Sequence, residues 1–158
     1  MLLWTGCTKS SKLEQYRAEK HERDSVGLMD QQRSLDYYQQ QLELLLPQAD
    51  SLIAFFRYEK NEKYQDHGVY VITVPSYGLR VMVRDDGKEL LLYREGKRLT
   101  NERVNELKSD REREALERAQ HLQIVIHDIR ELEKRIAKTS LEIQKYQKRL
   151  TNERVTNE

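Results

Sequence analysis

Few residues of this chain combine the types and spacings that catalysis or ligand binding requires. The chain has 158 residues, with four histidines and one cysteine. His121 and His127 are six positions apart, which places them on different faces of a helix, and His21 and His67 are isolated. The sequence contains no P-loop, dinucleotide fingerprint, zinc-ligand spacing or nucleophile elbow. We therefore predict no enzyme activity, no catalytic residues, no metal site, no cofactor and no small-molecule substrate.

The balance of charges argues against nucleic-acid binding. Lys and Arg total 28 against 27 Asp and Glu, so a net charge of +1 provides no long-range attraction to a polyanion. One group of basic residues has aromatic neighbours but is interspersed with carboxylates: Arg80, Arg84, Arg94, Lys97 and Arg98, with Tyr77 and Tyr93, against Asp85, Asp86, Glu89 and Glu95. Glutamates at helical spacing lack the Glu-x-x-His partners of a di-iron bundle.

The single cysteine lies in a segment with a recognisable pattern. Leu3-Trp4-Thr5-Gly6-Cys7 resembles the lipobox of bacterial lipoproteins. The resemblance implies that the thiol of Cys7 receives diacylglycerol and that the chain is anchored in a membrane through it. Only six residues precede Cys7, fewer than a secretory signal needs. We therefore expect that the start lies upstream or that the signal was trimmed.

The residue after the cysteine bears on where in the cell the protein is located. Thr8 stands there rather than Asp, and by resemblance to lipoprotein sorting this favours the outer membrane, facing the periplasm. If the lipobox is fortuitous, the protein is cytoplasmic. Residues 1–11 are interpreted as signal remnant, lipobox and tether.

The composition favours long solvated helices. Charged residues make up 35% of the chain and apolar residues 37%, with only two prolines. Ser11-Lys12-Leu13-Glu14 has the pattern of a capping box and predicts a helix start. Residues 12–27 would form a solvated stalk or fray. A heptad seam follows, and it indicates a coiled coil: Leu28, Leu35, Leu42, Ala49 and Phe56 in one row, with Gln31, Tyr38, Leu45 and Leu52 in the other. Pro47 should kink or divide this arm.

A second seam of similar length lies near the other end of the chain. Its rows are Ala115, Leu122, Ile129, Ile136, Ile143 and Leu150, and Val125, Leu132, Thr139 and Tyr146. Two seams of this kind predict an antiparallel hairpin, in which Phe56 lies near Ala115 and Leu28 near Ile143.

Between the arms the apolar period changes to two. Residues 68–75, 79–85 and 89–95 predict three strands in an antiparallel meander, and Asp86-Gly87 is a hairpin signal. Such a small sheet leaves apolar surface uncovered, which predicts a protein partner or self-association through the β head. We assign the possible interaction surface to six residues: Tyr70, Ile72, Val74, Arg80, Met82 and Arg84.

Eight residues, Lys97–Val104, recur letter for letter as Lys148–Val155. A short duplication is favoured over a repeated functional motif. Thr100 or Asn101 is the expected N-cap of the second arm, and residues 152–158 are expected to fray.

The predicted fold is mostly α with a small β insertion. The expected segments after the tether are a first arm (12–64), a β meander (65–98), a second arm (99–151) and a frayed tail (152–158). The function predicted is a non-enzymatic envelope lipoprotein that serves as a coiled-coil spacer or scaffold. The order helix, β segment, helix resembles prefoldin, and this resemblance implies the alternative of a holdase chaperone, prefoldin-like or periplasmic, that binds unfolded clients.

Overall fold

The structure is a computed structural model that describes residues 3–60, 67–100, 107 and 109–156, with side chains described from residue 11 to residue 155. It is mostly helical, with two helices and one antiparallel sheet of five strands. The elements in chain order are α1 (Leu3–Ile53), β1 (Arg57–Lys60), β2 (Gly68–Val74), a 3-10 turn (Pro75–Tyr77), β3 (Leu79–Arg84), β4 (Leu90–Arg94), β5 (Lys97–Arg98) and α2 (Asp110–Thr156).

The chain divides into two compact units, and each helix contributes to both. The first unit comprises residues 1–39 and 134–158, and the second comprises residues 40–133. The sheet and the segments that flank it therefore belong to the second unit.

Helix α1 begins earlier than the sequence predicts. It is already helical at Leu3, so the predicted helix start at Ser11 was wrong, and Ser11 lies inside the helix. The residues before Ser11 include no proline, so nothing in the backbone prevents the helix from extending through them. Helix α1 also continues through Pro47 to Ile53. Pro47 leaves the carbonyl of Glu43 without its helical donor, and both residues are exposed.

The first arm ends sooner than residue 64. The amides of Phe55 and Phe56 donate to the carbonyls of Leu52 (3.1 Å) and Ile53 (2.9 Å), which closes the last turn. Phe56 therefore lies beyond the helix and packs against the core beside the sheet. Strand β1 follows at once.

The sheet is a meander in which consecutive strands are neighbours, in the order β1-β2-β3-β4-β5. The three predicted strands correspond to β2, β3 and β4, and the sheet adds two polar edge strands. Strand β1 pairs with β2 from Arg57 opposite Val71, and β5 pairs with β4 through Lys97 opposite Arg94. The edge strands were missed because Arg57–Lys60 and Lys97–Arg98 carry no apolar alternation.

Gly87 permits both the β3–β4 turn and the close approach of α2. Its φ of 73° lies in the left-handed region, which favours glycine. A β-carbon at this position would lie 2.8 Å from the backbone nitrogen of His127. The predicted Asp86-Gly87 hairpin is therefore also the point where the helix backbone touches the sheet.

Helix α2 covers one face of the sheet, which we call the inner face. The buried residues that form this core come from the sheet and from α2 and the segment before it: Val74, Leu79, Val81, Val83, Leu92, Leu107, Ala115, Leu116, Ala119, Leu122 and Ile126. Ala49, Val125 and Ile129 form a smaller adjoining cluster that joins α1 to α2 within the second unit.

Helix α2 starts at Asp110, so the predicted N-cap at Thr100 was wrong, and the alternative at Asn101 lies outside the described residues. The cap is Ser109, whose Oγ accepts from the amide of Glu112 at 3.1 Å. The helix then runs to Thr156, past the predicted end at residue 151. The repeat is thus strand at Lys97–Arg98 and helix throughout its second copy.

In the first unit the two helix segments run antiparallel. His21 Nδ1 lies 3.0 Å from Oε2 of Glu153. Gly27 lies against the ring of Tyr146, where an added β-carbon would be 2.8 Å from the ring. Gly27 contacts Tyr146, and Arg135 lies over the ring of Tyr38. The predicted neighbours Leu28 and Ile143 lie between these two contacts along the helices.

Candidate functional site

The six residues assigned to an interaction surface do not form one surface. Tyr70, Ile72 and Val74 pair with Val83, Val81 and Leu79, so they share the inner face. All three pack in or against the core beneath α2. Arg80, Met82 and Arg84 alternate with these residues along β3 and therefore lie on the opposite face, which we call the outer face.

The outer face has an apolar centre that is itself buried. Val69, Val71, Met82 and Leu91 are each less than 9% exposed, with Tyr93 partly buried beside them. Of the three predicted residues on this face, Arg80 is exposed, Arg84 is half-buried and Met82 is buried. The accessible chemistry of the outer face is therefore polar.

Ion pairs organise the polar groups around this centre. Glu59 accepts from Arg57 and from Arg80, the latter at 2.9 Å. The hydrogen bond from Arg57, together with the positive charge of Arg80, holds the pKa of Glu59 below its ordinary value despite some burial. Arg84 Nε lies 2.9 Å from Oδ2 of Asp86. These arginines are held in place by carboxylates of the same unit.

A cluster of polar groups surrounds Asp85, which follows β3 directly. Its Oδ2 accepts from the amide of Gly68 at 2.8 Å and from the hydroxyl of Tyr58 at 3.1 Å, and its Oδ1 lies 3.1 Å from Nδ1 of His67. Arg130 of α2 donates to the Asp85 carbonyl at 3.4 Å. A single carboxylate thus ties together β1, the start of β2 and the end of β3.

The electrostatics of this cluster follow from its contacts. Burial alone would raise the pKa of Asp85, but the hydrogen bonds from Gly68, Tyr58 and His67 lower it below its ordinary value. The pKa of Tyr58 is raised, first by desolvation and then by its bond to Asp85, and burial raises the pKa of Tyr70. Both phenols therefore stay protonated at neutral pH and act as donors rather than as bases or nucleophiles. The hydrogen bonds of Asp85 therefore hold the ends of β1, β2 and β3 in place.

A buried ion pair that was not predicted from the sequence joins the sheet to the start of α2. Glu112 is 1% exposed and accepts from Arg94 of β4. Arg94 also donates to the carbonyl of Tyr77 at 2.8 Å. Ser109-Asp110-Arg111-Glu112 has the spacing of a capping box, so the pattern could have been found in the sequence, although the role of Arg94 could not.

In the first unit, Asp24 is 8% exposed and its Oδ2 has no hydrogen-bond partner among the described residues. A cavity of about 660 Å³ opens on α1 nearby, lined by Glu19, Glu22, Arg23, Val26, Gly27 and Asp30. Within the described ranges, no group of three or more His, Cys, Asp and Glu side chains is placed to hold a metal ion.

Cys7 lies within α1, and its side chain is outside the range of described side chains. Neither α1 nor α2, over the residues described, contains a stretch apolar enough to span a bilayer. Comparison with protein families, with curated proteins and with solved structures found no match to this chain.

Proposed function

We propose that the chain is a non-enzymatic lipoprotein of the bacterial envelope, anchored in the outer membrane through acylated Cys7 and facing the periplasm. It serves as a coiled-coil spacer or scaffold that presents a β head to a protein partner or to a second copy of itself. The observation that supports this function is that the two units differ in structure. The second unit has a sheet with its own core, whereas the first unit consists of helix segments paired along a narrow seam.

The finer architecture belongs to the same proposal. The three strands β2, β3 and β4 act as the meander head of an antiparallel helical hairpin. Support comes from the chain order, in which α1 ends and α2 begins on either side of the sheet. Antiparallel contacts between the two helices within each unit, such as His21 with Glu153 and Ala49 with Val125, agree with it.

The partner would be recognised mainly by polar groups of the outer face. Arg80 is exposed there, and its partner Glu59 is 28% exposed, so both can be reached by another chain. Because Tyr70, Ile72 and Val74 pack against the core, the contact is expected to depend on Arg80 more than on the inner-face residues.

The anchor is tested by changing Cys7 in the protein expressed in its bacterial host from its natural gene. We expect Cys7→Ala to move the protein from the membrane fraction to the soluble fraction and to abolish labelling by radioactive palmitate. The matched control is Cys7→Ala combined with Ser10→Cys, which restores a thiol outside the lipobox and should stay unlabelled. Unchanged fractionation of Cys7→Ala would refute the anchor.

A holdase chaperone is the second candidate, because apolar side chains are exposed in the first unit. Leu13, Tyr16, Val26 and Met29 are each 51–57% exposed, and surfaces of this kind bind unfolded chains. A holdase should suppress aggregation of a heat-unfolded client at less than equimolar amounts, and Leu13→Ser with Met29→Ser should weaken that effect. A scaffold should show no suppression.

A further inference from the structure

The segment of α2 that belongs to the first unit carries an excess of positive charge. Between residues 134 and 155 the helix has seven Lys and Arg against two Glu. The facing part of the unit, residues 11–39 of α1, has five Lys and Arg against six Asp and Glu. The near-neutral total of the whole chain therefore hides a local excess that belongs to α2.

Much of this charge lies in one row, which we call the basic face. Its members follow one another at alternating intervals of four and three residues, and all are exposed: Lys134, Lys138, Leu141, Lys145, Lys148, Asn152 and Val155. At 3.6 residues per turn, these intervals keep the side chains within an arc of about 100°. The four lysines span about 21 Å along the helix axis.

The four lysines differ in how far neighbouring groups neutralise them, and Lys134 has an interaction partner in the described part of the chain. Lys145 pairs with Glu142 at 3.1 Å, but both side chains are more than a third exposed, so the pair is weak. Lys138 and Lys148 form no ion pair with the part of the chain that the structure describes. The basic face can therefore attract an anionic surface over the range that salt screening allows.

Apolar side chains lie in the same row as the lysines. Leu141 is 53% exposed and Val155 is 67% exposed. A lipid interface buries such side chains while its phosphates attract the lysines around them. A nucleic-acid backbone attracts lysines but offers apolar side chains nothing comparable, and the basic face carries no arginine or aromatic ring for stacking on bases.

We propose that the basic face of α2 binds the surface of a membrane that contains anionic phospholipid. The binding is peripheral: lysines contact lipid phosphates, and Leu141 and Val155 enter the interface. It goes beyond the proposed anchor because it does not depend on acylation of Cys7. A chain that lacks the acyl group is therefore the right material for the test.

The test measures binding of the full chain carrying Cys7→Ser to vesicles by cosedimentation. Vesicles containing phosphatidylglycerol are compared with vesicles of phosphatidylcholine alone. We expect binding only to the anionic vesicles, falling as salt rises. Replacing the four lysines of the face with Gln should weaken binding by about fivefold for each lysine, hence by at least about 100-fold together. The control removes four exposed charges elsewhere: Lys12→Gln, Arg17→Gln, Arg33→Gln and Lys88→Gln.

The control separates a specific face from net charge, because both variants lose four positive charges. We expect the control to bind within about threefold of the parent, and an equal loss in both variants would overturn the proposal. Leu141→Ser should weaken vesicle binding about fivefold. Unchanged binding by Leu141→Ser, or tighter binding of the parent to duplex DNA than to anionic vesicles, would overturn the assignment to a lipid surface. Circular dichroism checks that each variant remains helical.

Discussion

The ion pair between Arg94 and Glu112 offers the sharpest test of how the sheet is held against α2. Glu112 is 1% exposed, and the Arg94 side chain is 30% exposed. Replacing Arg94 with Met keeps the apolar stem but leaves a buried carboxylate whose remaining side-chain partner is Ser109, at 3.2 Å. Breaking a buried pair in this way costs about 3–5 kcal/mol in free energy of unfolding.

The reverse substitution should cost much less. Glu112→Gln keeps the shape and the bond to Ser109, and Arg94 keeps its bond to the Tyr77 carbonyl and can reach water. We expect a loss of about 1–2 kcal/mol. The double variant Arg94→Met with Glu112→Leu removes both charges and should recover most of the loss caused by Arg94→Met, because no ion is then left buried without a partner.

The assay is hydrogen exchange of the β2, β3 and β4 amides, combined with urea unfolding followed by circular dichroism. Exchange isolates the second unit, since the first unit contains no part of the sheet. Ser109→Ala serves as control because it leaves the ion pair in place: it should cost about 1 kcal/mol through loss of the cap and of the bond from Ser109 to the Glu112 carboxylate. A cost below about 1 kcal/mol for Arg94→Met, or a larger cost for Glu112→Gln than for Arg94→Met, would refute the reasoning.

Three further predictions concern turns and protonation. Gly87→Ala should lower the free energy of unfolding by about 3 kcal/mol, and Gly96→Ala by only about 1–2 kcal/mol. Both residues have positive φ, but nothing lies within 4 Å of a β-carbon at Gly96. Equal losses of melting temperature in the two variants would contradict the close contact between Gly87 and α2. Glu95→Asn should stabilise the β4–β5 hairpin by about 0.5–1 kcal/mol in urea unfolding, because Glu95 has a φ of 50° in a turn that favours Asn-Gly. Because the folded pKa of Asp85 is depressed below 3.8, its stabilisation is complete above about pH 5 and is lost as pH falls through the folded value. Unfolding free energies of the parent and of Asp85→Asn should therefore converge as pH falls below about 5, and a constant difference would show that the carboxylate charge is irrelevant.

The strands of the sheet differ in how far sequence can predict them. In strand β3, Leu79, Val81 and Val83 alternate with Arg80, Met82 and Arg84, and the two arginines allowed the faces to be assigned before any fold was known. Strand β2 is apolar on both faces, and only the packing of α2 decides which side becomes the inner face. This is why Tyr70 was assigned to an interaction surface and instead packs against the core.

Capping patterns show a similar limit. Ser11 and Ser109 both precede a Glu by three residues, yet one lies inside α1 and the other caps α2. A capping box satisfies amides that a helix start leaves free, and Ser11 has helix before it. The pattern is local, but whether the chain before it is helical depends on the rest of the sequence. The burial of Glu112 likewise follows from Arg94, eighteen residues away.

The contact between Gly27 and Tyr146 limits how the two helices of the first unit can slide along each other. The Tyr146 ring occupies the space that the side chain of any other residue at position 27 would enter. A shift of one heptad would bring the ring opposite Lys20 or Ser34, neither of which offers the same gap. A seam of repeating leucines and isoleucines tolerates a shift of one heptad. The gap at Gly27, which only the Tyr146 ring fills, therefore selects a single axial alignment of the two helices.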